Sequence, residues 1–345
     1  FEYAGTNISS LFAQPHNLLQ PGFWSMLRDL RRFYARSVTD LERLDARPES
    51  IGAYLARNGY GVRFRDDHLL PMAAAIWSAS PDAMLDYPAA AFIRFFENHG
   101  LLKLRERPRW HTVVGGSKRY VCKLTEPLDG RIRRGARVVN VTRDARHGVL
   151  KTSDGLTSRF DHIVLAVHAD EALDLLNDAT EHERRLLSAF RYTHNRAFLH
   201  SDTSLMPARR AVWSSWNFVE RDRPFVTYWM NRLQPITSKV PLFVTLNPSP
   251  LPAAGSVLHT EDYAHPIFDD RALAAQKDLW SLQGTRRTWF CGAYFGAGFH
   301  EDGLQAGLAV AEDLGGVRRP WRVPNESGRI ARGPRFASAD LMTAS

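Results

Sequence analysis

The stretch "RTWFCGAYFGAGFHEDGLQAGLAVAEDLGG", residues 287–316, constrains the fold more than any other. A short apolar run reads as a buried strand. It feeds a loop holding Gly292, Gly296 and Gly298, and an apolar pattern at helical spacing follows. Glycine lets a flat or charged ligand approach the main chain with no Cβ in the way. The helix N-terminus behind the loop offers unpaired N–H groups and positive dipole potential, which suits an anion or a polarised carbonyl. Gly303 and Gly307 lie four apart on one helix face and allow close packing. Gly315 or Gly316 can end the helix in the left-handed conformation. On these residues alone, a ligand-facing loop and a plain strand–helix connection with an acidic N-cap fit equally.

The rest of the chain supplies the elements this unit needs. Residues 1–109 read mostly helical. "PGFWSMLRDLRRFYARS" spaces Phe23, Met26, Leu27, Leu30, Phe33 and Tyr34 along one face, with Arg28, Arg31, Arg32 and Arg36 on the other. It reads as a core-facing helix with a solvated basic face; a membrane-surface helix is the alternative. "YPAAAFIRFFENHG" is a second helix, with Pro88 near its start and Gly100 past its end. From Trp110, "WHTVVGGSKRYVCKL" predicts an extended stretch, a glycine turn and a helix, and "ARVVNVTRDARHGVLKTSDG" two strands and a turn. "RFDHIVLAVHADEALDLL" predicts a strand and a helix, and the run Ile163 to Val167 a strand covered on both faces. "NRAFLHSD", "AVWSSWNFV", "PFVTYWMNRL" and "PLFVTLNP" predict an antiparallel sheet. Its Trp213, Trp216, Tyr228 and Trp229 form either a flat apolar pocket or plain core. "RALAAQKDLWSLQ" is a helix, and residues 317–345 form a basic, turn-rich tail, docked or loose.

Composition removes several function classes. With 345 residues and 44% hydrophobic content, the chain can build two domains and a core. The longest nearly apolar run, Leu69 to Ala79, is too short to span a bilayer. Cys122 and Cys291 alone make neither a disulfide framework nor a zinc site, so the cytoplasm is the expected location. The formal charge of +8 comes mostly from scattered arginines, which form no nucleic-acid motif.

"GAGFHEDGLQAG" resembles the C-terminal flavin-contacting segment of the flavin-containing amine oxidase superfamily, roughly G-[YF]-x-E-G-A-x-x-[AS]-G. Gly298, Phe299, Glu301, Ala306 and Gly307 match; Asp302-Gly303 stands where the pattern has Gly-Ala. "VVGGSKRYVCKL" is similar to the superfamily's "GGS" turn and helix. The strand from Val138, the hairpin and "HIVLAVHADEALDLL" follow in the family's order. "LLPMAAAIWSASP", "FIRFFENHGLL", "YWMNRLQ" and "GFHEDGL" resemble a bacterial group of FAD-binding, amine-oxidase-like proteins associated with cyclopropane fatty acid synthase, some relatives being linked to fatty acyl desaturation.

The resemblance implies a mixed α/β (α+β) fold, in which a partial FAD-binding Rossmann-like domain joins a substrate domain of antiparallel sheet plus helices. Its parts would be 1–109 (helical substrate part), 110–176 (second FAD segment), 177–283 (sheet part of the substrate domain), 284–316 (C-terminal FAD segment) and 317–345 (tail). It implies FAD, bound noncovalently because no cysteine is placed for attachment, and a small-molecule or lipid substrate. Gly115, Gly116, Val138, Gly292, Ala293, Phe299, Glu301, Asp302, Gly303 and Leu304 would approach the cofactor, and Tyr228, Trp229 and Phe299 the substrate. His300 and His265 are the histidines to test for catalysis. No metal site is expected, because His300, Glu301 and Asp302 are adjacent and cannot easily all face one ion.

Two departures matter. Such proteins open with a strand, G-x-G-x-x-G and a helix; Gly59-Tyr60-Gly61 and Gly296-Ala297-Gly298 both lack the third glycine. The chain is therefore expected to lack its ADP-binding part, which a preceding segment or a partner chain would supply. The family's lysine near flavin N5 would fall in "YTHNRAFLHSD", which offers Asn195 and Arg196 instead. That counts against simple amine oxidation and leaves hydride removal from a mostly apolar substrate, such as an acyl chain. The competing class is a non-catalytic basic module that docks on a membrane or a partner protein through the 21–37 helix and the tail; in either class the expected location is the cytoplasm or the periphery of the inner membrane.

Overall fold

The computed structural model describes residues 1–5, 8–77, 81–104, 111–221, 223–323 and 326–333. Trp110, part of "LLPMAAAIWSASP" and the last twelve residues of the tail lie outside them. The chain divides into two compact units, residues 1–128 with 194–265 and residues 129–193 with 266–345. Of the three divisions, one follows Leu128 and the other two, at His194 and Pro266, fall inside long strands.

The first unit begins with helices that follow the apolar spacing. Helix α1, Pro21–Arg36, starts on proline, whose missing N–H costs nothing there, and buries Phe23, Met26 and Phe33. Leu27, Leu30 and Tyr34 are only half-buried. Asp29 is buried with that face because its carboxylate accepts the Gly61 N–H at 2.9 Å. Helix α2, Ile51–Arg57, is capped by the Ser50 hydroxyl, and Tyr54 packs edge-on to Phe33. Helix α3, Leu70–Trp77, carries Trp77 into a cluster with Phe92, Phe95 and Phe96 of helix α4, Ala89–Asn98. Gly100 ends α4 at φ +64°, a left-handed value that glycine adopts without strain. Gly115 and Gly116 form the expected turn at φ +83° and +80°, followed by helix α5, Lys118–Thr125, none of whose residues is buried.

The second unit holds strands β1, Val138–Arg143, β2, Gly148–Thr152, and β3, Thr157–Phe160, in one antiparallel sheet. Strand β4, Ile163–Leu165, leads into helix α6, Ala169–Leu175, and helix α7, Glu181–Leu187, follows. Arg143 of β1 and Glu183 of α7 are both fully buried side chains joined by two hydrogen bonds, and Asp178 completes the cluster. Such a pair tolerates burial only because each partner neutralises the other.

The chain then enters a five-stranded antiparallel sheet ordered β6-β7-β8-β5-β9. Its strands are β5, Arg191–His200, β6, Trp216–Val219, β7, Phe225–Trp229, β8, Phe243–Leu246, and β9, Val257–Ile267. Helix α8, Asp270–Asp278, capped by Asp269, leads to strand β10, Thr288–Phe290, which pairs in parallel with β4 in the register Phe290↔Leu165. Helix α9, His300–Gly315, closes the unit, and Gly316 ends it at φ +66°.

One expectation needs correction, and one strand was not expected. Ile163 and Leu165 are buried, but Val164 is 43% exposed and Val167 is exposed too, so β4 is covered on one face only. Strand β9 carries Glu261, Asp262 and Pro266, which a central strand would reject; as the sheet's edge it tolerates them.

Candidate flavin and substrate sites

The glycine loop of the second unit is shaped from within. Asp302 is fully buried at the start of α9. Its Oδ2 accepts the N–H groups of Ala297 at 3.0 Å and Phe299 at 2.8 Å, and its Oδ1 accepts Arg329 Nε at 2.6 Å. Both oxygens are thus used inside the protein. Asp302 holds the loop in shape and is not free for a cofactor, which corrects its expected role. Arg329, supplied by the tail, carried no local sequence signal. Arg319 pairs with Glu312 in the same way at 2.6 Å, so the described part of the tail is docked. That pairing pulls the Glu312 carboxyl down to about 2.

Each bare position can be tested by asking what a Cβ would meet. At Gly296 it would stand 2.6 Å from Asp302 Cγ, at Gly292 2.8 Å from Tyr294 Cε1, and at Gly298, where φ is +89°, 2.9 Å from Phe268 Cε2. Protein atoms fill these three positions, so the expectation of one continuous open approach is corrected. At Gly303 the nearest atom is Ala293 N at 3.6 Å, and nothing lies within 4 Å at Gly307. Gly303 therefore seats the first turn of α9 on the Gly292–Ala293 main chain. That turn presents His300, Glu301 and Leu304 outward, Leu304 being 54% exposed. The amides of His300 and Glu301 are donors that the helix cannot pair internally. The first turn of α9 thus offers two unpaired donors and an exposed leucine, whereas the inside of the loop is filled by protein.

The other expected cofactor residues are spread more widely. Val138 is half-buried in β1, beside a bulge before Asn140. Gly115 and Gly116 fall in the first unit. Phe299 and Ala293 are half-buried, and Glu301 accepts Gln305 Nε2 at 2.9 Å. Cys291 is buried at the end of β10, and desolvation pushes its thiol up.

In the first unit, strand alternation separates two expected substrate residues. Tyr228 and Trp229 are neighbours in β7, paired with Val244 and Phe243 of β8, so they lie on opposite faces of the sheet. Trp229 packs edge-on to Trp213 on the face that buries His200, Thr227 and Thr245. Those three form a hydrogen-bonded line: His200 Nε2 to Thr245 Oγ1 at 2.7 Å, and Thr245 Oγ1 to Thr227 Oγ1 at 2.9 Å. Desolvation lowers the pKa of His200. Tyr228 shares the other face with Trp216, Val226, Leu246 and Asn195, and the rings of Tyr228 and Trp216 meet edge-on at 5.8 Å.

Asn195, nearly fully buried, has a determined orientation. The Arg196 N–H donates to Asn247 Oδ1 at 2.8 Å. Asn247 Nδ2 therefore faces Asn195 Oδ1, at 2.7 Å, and Asn195 Nδ2 faces His265 Nδ1, at 2.9 Å. His265 Nδ1 must accept, so the neutral ring carries its proton on Nε2. Asn247 holds this relay at φ +48°, a conformation asparagine tolerates better than most. The sequence reading named Asn195 and His265 but missed Asn247, whose only local sign is the Asn-Pro that ends β8.

The strand–glycine-loop–helix unit is in keeping with the flavin-binding fold that the sequence resemblance implies. A family model described as flavin containing amine oxidoreductase matches residues 12–215, more than half of the chain, and the protein belongs to that family. No curated protein sequence matches it. Among solved structures it is similar to a putrescine oxidase bound to putrescine, at 12% identity and TM-score 0.63, over 85% of this chain and 76% of that one. A CLA-producing fatty acid isomerase from P. acnes matches at 17% identity and TM-score 0.53, over 77% of this chain and 65% of the isomerase. Cyclohexylamine oxidase from Brevibacterium oxydans IH-35A matches at 12% and 0.53, over 77% and 68%. At such identities the likeness is one of fold. The chain spans about two thirds of the isomerase's length.

Proposed function

We propose that the protein is a cytoplasmic oxidoreductase that removes a hydride from a mostly apolar substrate, with a fatty acyl chain as the substrate class and FAD held noncovalently. The observation that carries the substrate class is the sheet face bearing Tyr228. From Asn195 onward on β5, and on β6 to β8, its side chains are Asn195, Ala197, Leu199, Trp216, Phe218, Val226, Tyr228, Val244 and Leu246, none of them charged; Arg191, at the start of β5 on the same face, is paired with Asp269 at 2.8 Å. A cationic amine would lose its hydration there without a countercharge, whereas an acyl chain loses nothing polar. The fatty acid isomerase among the similar folds is in keeping with this reading.

A bound flavin supplies the hydride acceptor; the protein's part is orientation and a dry surface. The His300 and Glu301 amides would face a polar edge of the ring, and Leu304 would lie against it. Asn195 fixes His265 as the tautomer protonated on Nε2. The pyrophosphate site is assigned to a segment or chain other than the one described, because no G-x-G-x-x-G is present. Exposed Val164 and Val167 are the apolar surface it would cover.

The test is anaerobic reduction of the flavin in protein made from the complete reading frame. Acyl substrates should bleach its visible band and simple amines should not. Bleaching by putrescine but by no acyl compound would overturn the substrate class.

A further inference from the structure

Part of the first unit's surface lies outside this reading. A single-turn helix, Pro15–Leu19, precedes α1, and its end is apolar and bare: Leu19 is 87% exposed, with Leu18 beside it about half exposed. Trp24, 49% exposed, donates its Nε1–H to the Leu18 carbonyl at 2.9 Å, fixing turn and helix as one wedge. Along α1, Trp24, Arg28, Arg31 and Ala35 recur at i, i+4, i+7 and i+11, and all four are exposed.

The four arginines of α1 do not act alike. Arg32 is engaged: it donates to the Gly59 carbonyl, lies 4.2 Å over the Tyr60 ring and approaches Asp29 at 3.4 Å. Arg28, 74% exposed, has Asp29 at 3.7 Å, and that carboxylate is buried and held by the Gly61 amide. Arg28 and Arg31 therefore stand on the same outward stripe as Trp24. Leucines to insert, an indole whose N–H is already satisfied, and two guanidinium groups behind them match the layers of a bilayer interface with anionic headgroups. No helix among the described residues is long and apolar enough to cross a membrane, so the contact would be peripheral.

We propose that the Leu18–Leu19–Trp24 wedge, flanked by Arg28 and Arg31, docks the protein on an anionic phospholipid surface. The proposal is independent of the substrate assignment, because its readout is binding alone. Full-length protein is sedimented with vesicles of phosphatidylcholine and of phosphatidylcholine mixed with phosphatidylglycerol. Binding should require the anionic lipid. Leu19→Ser should weaken it about ten-fold, and Arg28→Glu with Arg31→Glu by at least about five-fold per residue. Arg184→Glu with Arg185→Glu, an equal charge change elsewhere, should leave it nearly unchanged. These side chains are exposed, so the variants should keep the parent's circular dichroism. Equal binding to both vesicles, indifference to Leu19→Ser, or loss of binding equally in the control variant overturns the proposal. So does displacement by inorganic phosphate beyond that by chloride at equal ionic strength, or self-association without vesicles that Leu19→Ser abolishes.

Discussion

Replacing Asp302 by alanine should undo the glycine loop. The carboxylate is fully buried and takes three hydrogen bonds, from Ala297 N, Phe299 N and Arg329 Nε. Losing the charged bond to Arg329 costs about 1.5–3 kcal/mol, and each stranded amide about 1–3 kcal/mol. These terms share one site, and water will reach part of it, so they do not add fully. The expected loss is about 3–5 kcal/mol, the range for breaking a buried ion pair from one side. Arg329 is a quarter exposed, so Arg329→Ala should cost less. A double-mutant cycle in urea should give a coupling of about 1–3 kcal/mol, and hydrogen exchange should show the amides of 297 and 299 losing protection first. If Asp302→Ala stays within about 1 kcal/mol of the parent, or the coupling is zero, Asp302 does not organise this loop.

Further outcomes follow from the same geometry. Gly296→Ala places a Cβ 2.6 Å from Asp302 Cγ and should destabilise by about 1–3 kcal/mol. Gly307→Ala meets nothing within 4 Å and should be neutral or stabilise by up to about 1 kcal/mol; equal effects on thermal unfolding would contradict the account. The carboxyl of Glu312 is lowered from 4.5 to about 2, chiefly by its hydrogen bond with Arg319. A depressed folded-state value means stability that is full above the unfolded pKa and is lost as pH falls from 4.5 toward 2. Proteolytic release of residues 317–333 should rise over that window, and Glu312→Gln should show release already at neutral pH. Nitrogen NMR of neutral His265 should find the proton on Nε2; a proton on Nδ1 would refute the Asn247–Asn195 relay.

Much of the architecture was legible because local rules agreed. Pro21 and Gly100 bracket helical apolar periods, Gly115-Gly116 demanded a turn, and the alternating runs of 216–219 and 225–229 pair as strands. Strand β9 was not legible, since its charges and proline obey an edge position that only the assembled sheet defines. β4 looked doubly covered because a run of apolar residues cannot say which face is shielded. The glycines marked a tightly built loop, but not what it is built against. Glycine signals close approach but not what approaches, and at 292, 296 and 298 it is the protein itself. Asp302 read as a ligand contact because Arg329, twenty-seven residues on, is joined to it only by the fold. Tyr228 and Trp229 read as one wall until strand alternation set them on opposite faces.

The most direct test of the account is flavin affinity at the first turn of α9. Protein from the complete reading frame should purify yellow, and Leu304→Trp, at a half-exposed position where folding is not at risk, should weaken FAD binding at least about ten-fold in a fluorescence titration, a loss of about 1.4 kcal/mol. Colourless protein that takes up no flavin, or an affinity indifferent to tryptophan at 304, would contradict it.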